Sequence, residues 1–134
     1  MSWTLTEANL ADVEAANRHL DEEIAATVPW TVTPIGYACR DLESRFLGAC
    51  LATLSGERAL ITALWVRPSA RRQGLASSLV DRVLARALAA DVCEVFVTCL
   101  SGTAVTFYSK QGFMVVFSTR LADGIEFVIM RREL

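Results

Sequence analysis

The sequence has one lysine, one histidine, three prolines and seven glycines among 134 residues. So little Pro and Gly, beside 53% hydrophobic and 21% charged residues, excludes disorder, collagen-like and linker-rich architectures. No run approaches the roughly 20 apolar residues of a membrane span. No basic segment followed by an apolar stretch opens the chain, so no secretory signal is expected, and a cytoplasmic location with no membrane partner follows. Net charge is −2, which argues against a sequence-independent nucleic-acid binder. His19 stands far in sequence from Cys39, Cys50, Cys93 and Cys99, and no C-x-x-C spacing occurs, so no metal site is expected. The cysteines read as small buried hydrophobes.

What is present suits one domain spanning 1–134, long enough for a core without disulfide or metal support. Leu10, Val13, Ala16, Leu20 and Ile24 recur at helical spacing, with Thr6 or Asn9 as N-cap and an end before Pro29. Pro29 to Pro34 reads as a loop. Strands follow at 36–40, 46–54 and 59–66, in an antiparallel meander. A turn over 41–44 sets Cys39 opposite Phe46, with Cys50 too far along to bridge it. A helix over 74–90 carries Leu75, Leu79, Val83, Leu84 and Leu88 on one stripe. A strand at 92–98, parallel to 59–66 through that crossover, comes next. A short helix at 103–111 takes Ser101 or Thr103 as cap and stops at Gly112. Strands 113–121 and 125–131 form a hairpin through Asp123-Gly124. The order predicts an α/β domain with a mixed sheet.

The chemistry concentrates in Trp65-Val66-Arg67-Pro68-Ser69-Ala70-Arg71-Arg72-Gln73-Gly74-Leu75-Ala76. Arg67, Arg71 and Arg72 gather before a helix start, where free N–H groups already present positive charge. Gly74 and Ala76 clear space for close approach to those N–H groups. Together they predict a phosphate or pyrophosphate site. A solvated basic loop is the plain alternative. Neither G-x-x-x-x-G-K-[ST] nor G-x-G-x-x-G is present.

Arg71-Arg72-Gln73-Gly74-Leu75-Ala76 fits the [QR]-x-x-G-x-[GA] pattern of the GCN5-related N-acetyltransferases (GNAT). Leu64-Trp65-Val66-Arg67-Pro68 resembles that family's fourth strand, and Ala104 to Phe113 resembles its A-x-x-F-Y-x-x-x-G-F segment. The resemblance covers about Phe46 to Arg131. It implies the GNAT fold: a mixed, mostly antiparallel sheet, splayed between the family's fourth and fifth strands (here 59–66 and 92–98), with helices on both faces. It implies acetyl-CoA as co-substrate, its pyrophosphate on Arg71, Arg72, Gln73, Gly74, Leu75, Ala76 and Ser77. The acetyl carbonyl would lie by the backbone of Leu64 to Val66, where an N–H can steady an oxyanion. Ser101, where the family often has Asn, keeps a hydroxyl for pantetheine. Tyr108 resembles the general acid that protonates the CoA thiolate, and Phe107 suits the packing role.

Thr62 stands near the position where many members carry a Glu base. Glu57, Glu43, Asp41 and His19 are unranked substitutes; otherwise the acceptor amine is partly neutral when it binds. Cys99 reads as core or as acceptor lining. Trp3, Trp30 and Trp65 read as core or interface, and Trp30 also as a residue that stacks on substrate. Asp21-Glu22-Glu23 reads as a wet helix face or an attractor of cations. The resulting expectation is direct acetyl transfer to an amine, of a small molecule since no large insertion is present to read a protein. A protein amine, a non-catalytic acyl-CoA-binding module and a nucleotide-phosphate binder remain as alternatives. A homodimer is open. The Arg-rich, Ala-rich composition suits a GC-rich bacterial genome.

Overall fold

The computed structural model describes residues 2–28 and 31–134, so the expectations for Pro29 and Trp30 lie outside the described residues. The chain divides into two units, Met1–Thr31 and Val32–Leu134. In the first, helix α1 covers Leu10–Thr27. Asn9 and Asp12 cap it reciprocally: the Asn9 side chain accepts from the Asp12 N–H at 2.8 Å, and the Asp12 carboxylate accepts from the Asn9 N–H at 3.0 Å. Two orphan donors of the first turn are thereby satisfied, which settles the start at Asn9, not Thr6.

The second unit is a six-stranded sheet, with β1 at Val32–Arg40, β2 at Phe46–Ser55 and β3 at Arg58–Val66. Next come β4 at Glu94–Leu100, β5 at Met114–Ala122 and β6 at Ile125–Glu133. Spatial order is β1-β2-β3-β4-β6-β5. β3 and β4 run parallel, joined through helix α2 (Leu75–Ala89), and the other neighbouring pairs are antiparallel. Helix α3 (Thr103–Lys110) connects β4 to β5. Among the described residues no helix is long and apolar enough to cross a membrane.

Three local expectations change. Strand β1 begins at Val32 rather than Gly36, so Pro34 belongs to a strand and pairs with Thr53. β1 is an edge strand, where a residue without an N–H is tolerated. A register shift between Cys39 and Arg40 sets Cys39 opposite Gly48 and Arg40 opposite Phe46. All four cysteines are free thiols. Helix α3 takes Gly102 as N-cap, with no side-chain cap bond; the Ser101 hydroxyl instead accepts the Glu126 N–H at 2.9 Å. Gly112, at φ +89°, follows the end of α3 as expected.

The core lies between one face of the sheet and helices α2 and α3. β2 turns Cys50, Ala52 and Leu54 inward in alternation, and β4 contributes Val95 and Val97. α2 meets them with Leu79, Val80, Val83, Leu84 and Ala87, the stripe that its period dictates. Gln111, at the end of α3, donates to Ser77 Oγ at the start of α2 at 2.8 Å, tying the two helices together. Each larger side chain fully enclosed here, such as Val83 or Met130, contributes about 1.5–3 kcal/mol.

Two features shape the middle of the sheet. On β3, Ile61 pairs with Ala52 and Ala63 with Leu51, which leaves Thr62 as the extra residue of a bulge. A bulge bends and twists its strand. The parallel ladder between β3 and β4 runs only from Arg58–Glu94 to Ile61–Val97 and stops there. Beyond it, β3 stays with β2 while Thr98, Cys99 and Leu100 stay with β6. This interrupted pairing is compatible with the expected splay. At the paired end Glu94 takes Arg58 of β3 and Arg131 of β6 as ion-pair partners, fastening three strands together.

Candidate functional site

A cleft of about 500 Å³ opens where the β3–β4 ladder ends. One wall is Ile61 to Val66, another is Val97, Thr98 and Cys99, and helix α3 closes it with Thr103, Ala104, Phe107 and Tyr108. A smaller cavity of about 250 Å³ lies at the start of α2, lined by Arg72, Gly74, Leu75 and Ser77 among others. Val66, Arg71, Ala76 and Phe107 line both. A molecule with an anionic end and a narrow amide-bearing arm can therefore lie along one continuous path.

The anionic end has a physical receptor. Gly74 is the N-cap of α2, left-handed at φ +79°, with no side-chain cap bond. The first intrahelical bond seen runs from Ser78 N to Gly74 O at 3.0 Å. The N–H groups of Leu75, Ala76 and Ser77 precede that bond and carry the positive end of the helix. A Cβ placed on Gly74 meets nothing within 4 Å, so the space above it is open to a ligand.

The three arginines divide. Arg67 points away from the helix start: its Nε and Nη2 donate to the Phe46 carbonyl at 3.0 and 2.9 Å, which ties β3 to β2. Arg71 Nε donates to the Val66 carbonyl at 2.8 Å. Arg72 adopts φ +62° on the rim of the small cavity. Thus Leu64, Val66, Arg71, Arg72, Gly74, Leu75, Ala76, Ser77 and Tyr108 gather on the two connected cavities, whereas Gln73 and Ser101 line neither.

Tyr108 is only 5% exposed and lies edge-on to Phe107 and to Phe113, with ring centroids 5.1 and 5.4 Å away. The expected division of labour is reversed in burial: Phe107 is the more open of the pair, because Phe113 folds back over Tyr108 after Gly112. Burial, reinforced by the neighbouring Cys50 and Cys99 thiols, pushes the phenol well above its ordinary pKa. It therefore holds its proton at neutral pH. Burial also raises the Cys99 thiol.

Of the substitute bases, Asp41, Glu43 and Glu57 do not line this cleft. Asp41 staples the β1–β2 turn: its Oδ1 accepts the N–H of Arg45 and of Glu43, and its Oδ2 pairs with Arg45 Nε at 2.7 Å. The Arg45 backbone N–H, with that residue's guanidinium and the Glu43 N–H, holds Asp41 below the usual carboxylate range. Glu43 pairs with Arg45, and Glu57 with Arg58 in the β2–β3 turn. His19 and its partner Glu22 belong to the first unit. Among the described residues no cluster of His, Cys, Asp and Glu is placed to hold a metal.

Thr62 and Trp65 emerge as lining residues that the sequence marked only faintly. Trp65 stands between inward-facing Leu64 and Val66, so strict alternation already sends it to the opposite face. It stacks on Phe46 at 6.0 Å, nearly parallel. The bulge at Thr62 has no local signature.

The profile of the "Acetyltransferase (GNAT) domain" family matches residues 41–134. No curated protein matches by sequence. Among solved structures, an acetyltransferase from Bacillus cereus is similar over 98% of both chains, with 16% identity and a TM-score of 0.84. The ribosomal-protein-S18-alanine N-acetyltransferase of Escherichia coli is similar over 97% of this chain and 92% of its own, with 16% identity and a TM-score of 0.67. A Bacillus anthracis protein named for streptothricin acetyltransferase activity was solved with acetyl coenzyme A. It is similar over 82% of this chain and 67% of its own, with 16% identity and a TM-score of 0.67. At these identities the likeness shows the fold.

Proposed function

Because the chain belongs to the acetyltransferase (GNAT) domain family, and so is an N-acetyltransferase that uses acetyl-CoA, we propose that residues 1–134 act as one catalytic domain passing acetyl directly to a small-molecule amine. The observation that carries this reading is the β3–β4 ladder that stops at Ile61–Val97 and opens into a cleft running to the uncapped start of α2.

The residues fit the co-substrate. The main-chain N–H groups at Leu75, Ala76 and Ser77 hold the pyrophosphate, with Arg71 and Arg72 adding charge. The side of β3 that no longer pairs with β4, from Leu64 to Val66, offers peptide groups to the pantetheine amides, as an added strand would. An N–H in that segment steadies the carbonyl oxygen as it gains charge. Tyr108 holds a proton at Oη for the departing sulfur. Gln73 and Ser101 belong to this set by their place in the chain, Gln73 as part of the loop and Ser101 as a support for the end of β4.

The test is thiol release from acetyl-CoA with a panel of small primary amines, run beside calorimetric titration with acetyl-CoA. Binding in the micromolar range with amine-dependent thiol release is expected. Binding without release from any amine would make the protein an acyl-CoA-binding module, and heat protection by ATP stronger than by acetyl-CoA would overturn the co-substrate assignment.

A further inference from the structure

The cleft also constrains which amine can react there; this step rests on the assignment of the thioester to that cleft. The ionisable side chains on its walls are Arg71, Tyr108 and Cys99. Arg71 is a cation held to the Val66 carbonyl. The Tyr108 phenol and the Cys99 thiol both keep their protons, since burial raises both. Cys50, the other titratable group facing Tyr108, is fully buried and also raised by burial, to about 11. Among the described residues, no side chain on these walls takes a proton from an ammonium ion at neutral pH. The remaining side chains are apolar except for the Thr62, Thr98 and Thr103 hydroxyls, the other polar groups are neutral main-chain amides of β3, and Trp65, stacked on Phe46, gives the cleft an aromatic wall. An ammonium ion entering such a cleft loses hydration and meets the charge of Arg71, with no carboxylate among the described lining residues to offset either.

We infer that the acceptor is a weakly basic amine on an apolar or aromatic body, one that binds uncharged with that body against Trp65. The neutral nitrogen attacks the thioester carbonyl carbon; the N–C bond forms and the C–S bond breaks. Nitrogen releases one proton to solvent and sulfur gains one from Tyr108, which solvent then reprotonates. Protons balance without a protein base. The preference follows from ionisation alone. At pH 7 an α-amino-type group is about 10% neutral and a lysine-type amine about 0.04%, a difference of roughly 250-fold.

The experiment compares phenylalanine amide, 2-phenylethylamine and spermidine as acceptors, following kcat/KM from pH 6 to 10 by thiol release, with acetyl-CoA binding measured separately. The expected result is a unit-slope rise that breaks at each acceptor's own pKa, and at pH 7 a preference of about 100-fold or more for phenylalanine amide over 2-phenylethylamine. Trp65→Ala raises KM for both aromatic amines by about tenfold, and an unchanged KM overturns the placement of the acceptor body against Trp65. A break at one fixed pH for every acceptor reveals a protein base and overturns the inference, as does faster turnover of spermidine at pH 7. Acetyl-CoA binding with no thiol release from any of the three also overturns it, while leaving the co-substrate site intact. Failure to bind acetyl-CoA at all refutes the underlying assignment instead.

Discussion

Tyr108 combines an aromatic packing role with a proton it does not readily lose. Its ring is wedged between Phe107 and Phe113, and its burial raises the phenol above its ordinary pKa. Tyr108→Phe keeps the ring and removes the proton. We expect kcat to fall about 100-fold, within the usual range for loss of a general acid, with acetyl-CoA affinity changed less than threefold. An unchanged kcat would assign the proton to water. Since the folded value is raised, ionisation of Tyr108 produces no fall in activity below about pH 10. Gly74 is the second residue whose chemistry is local. Its left-handed conformation costs a residue with a Cβ about 1–2 kcal/mol, and its open upper side is the approach to the helix N–H groups. Gly74→Val should weaken acetyl-CoA binding at least tenfold by calorimetry, a loss larger than its effect on folding in urea. Equal affinity would remove the loop from the site.

Strands β3 and β4 are joined at one end and separate at the other, so whatever fastens the joined end also sets the cleft. Glu94 does this with Arg58 and Arg131. Its own side chain is 17% exposed, but Arg58 and Arg131 are 49% and 38% exposed, so solvent screens the pairs. Glu94→Gln should therefore lower stability by only about 1 kcal/mol in urea unfolding. Because Arg58–Glu94 is the first rung of the parallel ladder, the same variant should raise KM for acetyl-CoA several-fold. A drop in stability with no change in KM would separate the clamp from the cleft. Strand β5 is a contrasting element: it pairs only with β6, and every residue along it is exposed.

At the scale of the molecule, buried neutral acids tie stability to pH. Cys50 is fully buried, and burial raises its thiol from 9.0 to about 11. The unfolded chain ionises first as pH rises, so the stabilisation is complete below pH 9 and is lost progressively towards pH 11, about 3 kcal/mol in all. Tyr108 acts in the same direction from about pH 10 upward. Urea midpoints should be level from pH 7 to 8.5 and fall above it, and Cys50→Ala should flatten the first part of that fall. A wild-type midpoint constant to pH 10.5 would contradict this.

Most of this architecture was legible in the residues. Periodicity located helix α2, Gly112 marked where α3 ends, and the Arg71–Ala76 and Ala104–Phe113 segments marked the cleft's two ends. What escaped was pairing between distant strands. The Cys39–Arg40 shift and the Thr62 bulge arise from twist shared with neighbours, and no local composition encodes them. Hydrogen-bond partners escaped for the same reason: Arg67 bonds to Phe46 and Ser101 to Glu126, across 21 and 25 residues of chain.

The halted ladder leaves peptide groups of Thr62 to Val66 on the cleft side without a neighbouring strand. Their main-chain hydrogens should, without acetyl-CoA, exchange with deuterated solvent faster than those of Arg58 to Ile61 on the same strand. A pantetheine arm laid beside them would act as a borrowed seventh strand. The enzyme's sheet would then be complete only during turnover, and slowing of deuterium uptake over a few consecutive residues of β3 would report occupancy of the site directly.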